Sequence, residues 1–141
     1  MSCVFCDIVA GKEKTNKIYE NENSLVILDV NPVARGHCLA ISKRHVQWWH
    51  DLDEAELSGL FHAAKIASEK IMKVYKPDFV MMYARGRRIP HVHIFLIPTS
   101  KGDVVDRFFN ALEGFQESVE GLTKVKRGLE DISAELGSEP D

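Results

Sequence analysis

One long amphipathic segment constrains what this chain can fold into more than any other feature of its sequence. Asp53 and Glu56 form the pattern of a capping box, and Pro77 ends the segment. Between them, apolar residues recur every three or four positions, at Leu57, Leu60, Phe61, Ala64, Ala67, Ile71 and Val74. A helix with such a stripe is stable when the stripe is buried against another layer. The segment therefore predicts a long helix packed on a sheet.

Short apolar segments on both sides of this helix are suited to form the sheet. They have the length of strands, and proline, glycine or asparagine residues lie near their ends. They cover residues 24–30, 37–42, 78–84 and 91–97. Residues 3–10 predict a short helical turn. Short strands around one long helix indicate an α+β domain with a mainly antiparallel sheet.

The carboxy-terminal part follows a different pattern. Apolar residues at helical spacing predict a helix over 103–118, and a weaker pattern covers 121–136. Residues 137–141 form an acidic tail that we expect to be frayed. A chain of 141 residues fits one domain, which we divide into residues 1–100 and a helical extension of the same domain, 101–141.

The charge balance and the hydropathy of the chain exclude several classes of partner. Lys and Arg number 18 against 21 Asp and Glu, so the net charge is −3. Nucleic acid is not expected as a partner, because the chain lacks a basic stripe. No run approaches the roughly 20 apolar residues of a membrane span, and the first residues do not resemble a secretory signal. We expect a cytoplasmic protein, with the nucleus as the alternative, and no membrane partner.

The segment from His91 to Pro98 places two histidines on one face of a predicted strand. Side chains in a strand alternate between its two faces. The face suited to pack under the helix carries Val92, Ile94 and Leu96. The opposite face carries His91, His93, Phe95 and Ile97. Two imidazoles in an otherwise apolar strand indicate a functional site, and the alternative is a half-exposed strand whose histidines face water.

Residues 91–98 resemble the signature of the histidine triad (HIT) family, in which three histidines alternate with apolar residues and a proline often follows. Segments 3–11, 28–37 and 41–45 resemble other elements of the family, in the family's order. On these four motifs the chain is identified as a member of the HIT family, over about residues 3–98. The resemblance implies a HIT-like fold, in which a mainly antiparallel five-stranded sheet packs with a long central helix. It also implies a homodimer.

The resemblance implies a nucleotide hydrolase or transferase that cleaves at the α-phosphate of nucleoside phosphoramidates or dinucleoside polyphosphates. The middle triad histidine, here His93, would attack phosphorus and become nucleotidylated, and water would then release the monophosphate. A neutral imidazole is a good nucleophile near pH 7, and the covalent intermediate divides one difficult displacement into two easier ones. His91 and His37 would complete the catalytic set. The expected ligand is a purine nucleotide resembling AMP or GMP, and no organic cofactor is expected.

A nucleoside pocket is also implied by the resemblance. Asp29 matches the acidic residue that binds the ribose hydroxyls, since a carboxylate can accept hydrogen bonds from two neighbouring O–H groups. The apolar positions around the base are matched by Phe5, Ile8, Ile27, Leu28, Val30 and Leu39. The alternative for these apolar residues is a plain hydrophobic core. A carboxylate inside an apolar run is costly unless it is paired or functional.

Cys3 and Cys6 have the spacing of zinc ligands, and His45 and His91 could complete a tetrahedral set of two cysteines and two histidines. Three cysteines are too few for a disulfide scaffold. Family members that resemble this chain at the amino terminus often carry a structural zinc on the matching residues. We therefore expect zinc here, and the alternative is a pair of buried thiols that bind no metal.

Two positions depart from the family pattern. Phe95 occupies the third triad position, where it can neither donate a hydrogen bond nor move a proton. Loss of one donor to a transition state costs about 10²–10³ in rate. Arg87 occupies the place of a glutamine, and we expect Arg87, Gly86 and His93 to bind phosphate oxygens, which suit a guanidinium fork. The alternative is that the basic residues within 85–88 form a solvated turn.

Three functions are consistent with these motifs. The first is a HIT-type nucleotide hydrolase or transferase that acts through His93. The second is a nucleotide-binding or scaffold protein whose catalysis Phe95 has weakened. The third is a zinc-dependent hydrolase built on the histidines and cysteines, which would need an open coordination position on the metal.

Overall fold

The chain divides into two compact units, Met1–Lys101 and Gly102–Asp141. The computed structural model describes residues 2–118 and 128–138. In these two ranges, no helix combines the length and the apolar character needed to cross a membrane. The expectation that the second unit extends the first as one domain stays a prediction.

The first unit is a five-stranded antiparallel sheet with helices, as predicted. Its helices are α1 (Val4–Val9) and α2 (Glu54–Tyr75), and a short 3-10 turn spans Trp49–Asp51. Its strands are β1 (Lys17–Glu20), β2 (Ser24–Leu28), β3 (Cys38–Ser42), β4 (Phe79–Tyr83) and β5 (His93–Thr99). The strands lie in the order β1-β2-β3-β5-β4, and every neighbouring pair is antiparallel. The sequence patterns did not predict β1, which is a short edge strand.

The bounds of β2 and β5 differ from those of the apolar runs at 24–30 and 91–97. β2 stops at Leu28, because the Asp29 carboxylate accepts a hydrogen bond from Asn31 N at 2.8 Å and turns the chain. β5 begins at His93 and continues through Pro98. Proline is tolerated there because the pairing with β3 already ends at Leu96, so no bond to β3 is lost.

Helix α2 begins at the predicted capping box. The Asp53 carboxylate accepts a hydrogen bond from Glu56 N at 2.8 Å, and Asp53 N donates to the Glu56 carboxylate at 3.1 Å. The helix ends at Lys76, whose φ of +51° lies in the left-handed region. Arg44 Nε lies 2.7 Å from the Glu56 carboxylate and, with the capping bonds, lowers the pKa of Glu56 to about 2. The cap therefore stays charged far into the acidic range.

The buried face of α2 consists of small and branched apolar residues that pack on the sheet. They are Leu60, Ala63, Ala64, Ala67 and Ile71. Val92, just before β5, and Ile94 and Leu96 within it join the same core, as the alternation of the sequence predicted. Two members of the predicted stripe, Phe61 and Val74, are instead exposed on α2.

The second unit contains α3 (Val104–Ser118), which confirms the predicted helix over 103–118, and α4 (Leu129–Gly137). α4 covers the last part of the weaker pattern over 121–136, and residues 121–127 of that pattern lie outside the described residues. The acidic tail predicted over 137–141 falls mostly outside them as well.

Replacing Asp53 by alanine tests the capping box. We expect Asp53→Ala to lower the free energy of unfolding by about 1 kcal/mol, because the first turn of α2 loses its side-chain acceptor. Urea denaturation followed by circular dichroism measures this change. Glu54→Ala is the matched control, because Glu54 is acidic and lies in the same turn but outside the capping box. An equal loss in both variants would contradict the assignment.

Candidate active site and metal centre

His93 is the first residue of β5, and its side chain is buried. Its Nδ1 lies 2.6 Å from the carbonyl oxygen of His91. A carbonyl only accepts hydrogen bonds, so Nδ1 carries the proton and Nε2 keeps its lone pair. Burial lowers the pKa of His93, although this hydrogen bond and the charge of Asp29 oppose the shift. The ring is therefore a neutral imidazole with a defined tautomer, which is the nucleophilic form.

Aromatic rings surround His93. The centroid of Phe5 lies 4.8 Å from that of His93, and the centroid of Phe95 lies 5.1 Å away. Phe95 is stacked on Tyr83, its cross-strand partner on β4, at 4.4 Å and an interplanar angle of 11°. The ring centroid of His37 also lies near that of Phe95, at 5.6 Å. Position 95 thus holds an apolar ring between two histidines and a tyrosine.

His37 is buried beside Asp29 at the end of β2. Its Nδ1 accepts a hydrogen bond from Val33 N at 3.3 Å, so the ring proton lies on Nε2. Nε2 is 3.3 Å from the Asp29 carboxylate, close enough for an electrostatic contact but not aligned for a hydrogen bond. Burial lowers the pKa of His37, and the charge of Asp29 opposes this shift. Among the residues that the structure describes, His37 Nε2 is a buried donor without a hydrogen-bonding partner.

Four of the six predicted base-pocket residues lie together on the sheet face opposite α2. Phe5, Ile27, Leu39 and Ile8 belong to one apolar cluster, which also contains Phe95. The other two lie elsewhere. Leu28 packs with the α2 core, and Val30 is 84% exposed. The assignment of all six to a base pocket stays a prediction.

The chain before β5 makes a tight turn at Gly86, whose φ is +67°. A Cβ atom on Gly86 would lie 2.9 Å from the Gln47 carbonyl oxygen and 3.3 Å from the Trp48 ring. Gln47 Nε2 also donates a hydrogen bond to Gly86 O at 3.1 Å. Only glycine fits this contact, which fixes the turn against the residues that follow β3. Sequence reasoning matched Gly86 to the family but did not place Gln47 or Trp48 beside it, since the contact joins residues that are distant in the chain.

A small cleft opens beside His93 at this turn. Its walls include Arg85, Gly86, Gln47 and Trp48, with His93 at one side. Arg87, the predicted phosphate ligand, is exposed and does not line this cleft. Arg85 therefore lines the cleft beside His93, which the sequence did not predict. A phosphate-binding role for Arg87 stays a prediction.

The four predicted metal ligands come together in the structure. Cys3 precedes α1 and Cys6 lies within it, His45 follows β3, and His91 precedes β5. Their ligand atoms all lie within 4.8 Å of one another. His91 Nδ1 is 3.4 Å from Cys3 Sγ, 3.5 Å from Cys6 Sγ and 3.1 Å from His45 Nδ1. Zinc bonds of about 2.0–2.3 Å in a tetrahedron separate neighbouring ligand atoms by about 3.3–3.8 Å. The three distances from His91 Nδ1 lie in or near this range, so the four side chains could hold one zinc ion.

The orientation of His91 also suits a metal ligand. Its Nε2 lies 2.7 Å from the carbonyl oxygen of Ser42, so the ring proton is on Nε2 and the Nδ1 lone pair faces the cluster. A second hydrogen bond of this kind fixes the tautomer of metal-binding histidines. The thiol of Cys6 has a raised pKa, caused first by burial and then by its contacts with Cys3. A divalent cation would supply the charge that a thiolate needs here.

Metal content tests the cluster directly. We expect protein purified without chelators to hold about one zinc per chain, and Cys6→Ser to hold far less, because a hydroxyl is a poor zinc ligand. Elemental analysis measures the ratio, and a lowered melting temperature on chelation would accompany the loss. Cys38→Ala is the control, since Cys38 is a buried thiol outside the cluster. A wild-type chain with no bound zinc would remove the metal site.

Comparison with known proteins identifies the family of this chain. A family model described as the HIT domain matches residues 10–102, which is more than half of the sequence. A zinc-bound histidine triad family protein from Mycobacterium smegmatis has a similar structure, with a TM-score of 0.67 and 30% identity, covering 73% of this chain and 78% of that one. The chain belongs to the HIT family, as its four motifs predicted.

Two curated relatives have named activities. An adenosine 5′-monophosphoramidase of Schizosaccharomyces pombe is 33% identical over 103 residues, covering 70% of this chain and 74% of the relative. An adenylylsulfatase of Arabidopsis thaliana is 32% identical over 106 residues, covering 72% of this chain and 54% of the relative. Hydrolases therefore occur among the relatives of this chain.

Proposed function

We propose that this protein is a nucleotide hydrolase or transferase that cleaves at the α-phosphate through a covalent nucleotidyl intermediate on His93. The observation that carries the proposal is the hydrogen bond between His93 Nδ1 and the His91 carbonyl, because it leaves the Nε2 lone pair free to attack. The relatives with named activities support the reaction class, since one is an adenylylsulfatase and the other an adenosine 5′-monophosphoramidase.

In the first step His93 Nε2 attacks the α-phosphorus, and the bond from phosphorus to the leaving group breaks. The positive charge that forms on the imidazole is stabilised by the hydrogen bond from Nδ1 to the carbonyl. His37 Nε2–H, which has no hydrogen-bond partner among the described residues, is suited to donate to an oxygen of the nucleotide. The Asp29 oxygen beside it is suited to accept a ribose hydroxyl, since the other oxygen already binds Asn31 N.

In the second step water attacks phosphorus, and the electron pair of the P–N bond returns to Nε2. A nucleoside monophosphate is released and His93 is restored. Phe5, Ile27 and Leu39 would supply the apolar surface against which the base packs. A purine nucleotide is the ligand that this combination of apolar surface, carboxylate and nucleophile fits.

The metal cluster would have a structural role. Zinc on Cys3, Cys6, His45 and His91 would cross-link α1 and the segment after β3 to the residue whose carbonyl orients His93. Four protein ligands fill a tetrahedral zinc ion and leave no open position for water. This donor set disfavours a zinc-dependent hydrolase as the function.

Trapping the intermediate tests the proposal. We expect the 4-nitrophenyl ester of AMP, mixed with the protein and quenched early, to leave an adenylyl group on the peptide that contains His93, detected by mass spectrometry. His93→Ala should abolish the adduct and lower turnover by about 10³-fold or more. His62→Ala is the control, because this histidine is exposed on α2 away from the cluster of site residues. Nucleotide binding with neither adduct nor turnover would favour the weakened binding protein instead.

We also propose that the protein forms a homodimer through the edge strand β4. This strand is at the end of the sheet and exposes Phe79, Met82 and Tyr83. Beside it, Trp49 and Phe61 line an apolar groove together with Met82 and Tyr83. Exposed apolar edges of this kind pair with other chains, and a second copy would cover the strand and the groove together.

A charge placed in this groove tests the dimer. We expect Met82→Lys to shift the wild-type dimer to a monomer in sedimentation experiments, because the interface would have to bury an ammonium group. Val33→Lys is the control, since Val33 is equally exposed but lies in the turn after β2. A wild-type monomer at micromolar concentration, or a dimer that tolerates Met82→Lys, would contradict this interface.

A further inference from the structure

The residues around His93 are rich in charge and hydrogen-bond donors but poor in protons that can be transferred. We infer that this site is selective for substrates whose leaving group departs as a stable anion without taking up a proton, such as a sulfate, a phosphate chain or an acidic phenol. Amines and ordinary alcohols are then poor leaving groups. This inference rests on the proposed function and names the substrate class on which the site acts.

Phe95 lies beside the candidate nucleophile and has no proton to donate to a leaving group. It is two residues after His93 in β5, so both side chains lie on the same face of the strand. Its stacking on Tyr83 across the β4–β5 pair, at 4.4 Å, holds the ring in this position. Phe5, on the other side of His93, has no exchangeable proton either. The two rings closest to the candidate nucleophile are therefore both inert in proton transfer.

The titratable groups farther out are weak acids in their present states. His37 is a neutral imidazole, because burial lowers its pKa, and its Nδ1 already accepts from Val33 N. Loss of the remaining Nε2 proton would leave an imidazolate. Burial and the charge of Asp29 raise the pKa of the Tyr83 hydroxyl, and the nearby Arg85 only partly opposes this. His37 and Tyr83 can each donate a hydrogen bond, but neither is a strong general acid at neutral pH. His50 also lines the cleft, where its exposed ring lies parallel to that of Trp48 at 6.4 Å.

The positive charge of Arg85 favours a leaving group that departs as an anion. Arg85 lines the same cleft as His93, and the Gly86 turn is fixed beside it by the hydrogen bond from Gln47. A guanidinium stays protonated throughout the neutral range, so it stabilises negative charge without transferring a proton. Charge-assisted hydrogen bonds to an oxyanion are stronger than those to a neutral group. The cleft can therefore lower the barrier for an anion that leaves, whereas an amine gains nothing from it.

The electron balance shows why the leaving group decides the rate. As the Nε2 lone pair forms the P–N bond, the pair of the P–X bond moves onto X. When X is the oxygen of sulfate, phosphate or an acidic phenol, the product is a stable anion. When X is an amine nitrogen, the product is an amide ion unless the nitrogen has first gained a proton, which Phe95, His37 and Tyr83 are not suited to give. The proton of the attacking water leaves to solvent in the second step.

A series of leaving groups measures this property in the wild-type enzyme. The probes are aryl esters of AMP, from the 4-nitrophenyl to the unsubstituted phenyl ester, together with adenosine 5′-phosphosulfate and adenosine 5′-phosphoramidate. The ratio kcat/KM reports the steps up to departure of the leaving group. We expect log kcat/KM to fall steeply as the phenol becomes less acidic, and the phosphosulfate to be cleaved much faster than the phosphoramidate.

Restoring a proton donor at position 95 tests the cause. A well-placed general acid contributes about 10²–10⁴-fold, so Phe95→His should lower the ratio of kcat/KM between the 4-nitrophenyl and phenyl esters by about 10²-fold. Phe95→Leu is the matched control: it also removes the stack on Tyr83 but adds no proton, so its dependence on the leaving group should stay steep. The series of leaving groups is measured on the wild-type protein, so its result does not depend on whether either variant folds.

The outcomes separate this inference from the proposed function. A shallow dependence in a wild-type enzyme that forms the His93 adduct, or a phosphoramidate cleaved as fast as the phosphosulfate, overturns the inference and leaves the function standing. An unchanged ratio in folded Phe95→His also overturns it. Absence of both adduct and turnover with the 4-nitrophenyl ester overturns the function and the inference with it.

Discussion

The hydrogen bond between His93 Nδ1 and the His91 carbonyl determines which ring nitrogen faces a substrate, and the rest of the site depends on it. His91 is itself fixed by its side chain, through Nε2 to the Ser42 carbonyl at 2.7 Å and through Nδ1 to the cluster of Cys3, Cys6 and His45. Val92 adds a backbone hydrogen bond to Val46. The orientation of the candidate nucleophile is therefore set by contacts that join α1 and the segment after β3 to the residues just before β5.

The stacked pair of Phe95 and Tyr83 places an aromatic surface beside the candidate nucleophile. Two cross-strand positions on β5 and β4 carry aromatic rings beside His93, and His37 and Asp29 lie on the far side of Phe95. Under the proposed function, such a site would bind and polarise a phosphate but would have few protons to transfer. A substrate that needs no proton on its leaving group would then suit this arrangement, so Phe95 would narrow the range of substrates without abolishing the reaction.

Much of the fold could be predicted from the sequence because its signals are local. The capping box at Asp53, the stripe of α2 and the alternation in β5 each depend on spacing within one element. Strand β1 was not predicted, because Lys17–Glu20 is a short edge strand of mixed polarity. The apolar run at 24–30 looked like one strand, whereas the Asp29 turn ends it at Leu28.

The candidate site was predicted less completely, since much of it is formed by contacts between distant residues. The four predicted metal ligands are recognisable by type and spacing, and the structure brings them together. The hydrogen bond from Gln47 to Gly86 and the stack of Tyr83 on Phe95 join residues whose own segments give no sign of it. The family pattern predicted Leu28 and Val30 in a base pocket. In the structure Leu28 packs with the α2 core and Val30 is exposed, and their assignment to a pocket stays a prediction.

The tautomer of His93 is the measurement that tests the central claim most directly. Long-range ¹H–¹⁵N correlation spectra of the ¹⁵N-labelled protein at neutral pH distinguish a protonated ring nitrogen from one with a free lone pair. The hydrogen bond to the His91 carbonyl predicts that His93 is neutral, with its proton on Nδ1 and a lone pair on Nε2. A spectrum that places the proton on Nε2 would contradict the account, because the nitrogen assigned to attack phosphorus would have no lone pair to form the bond.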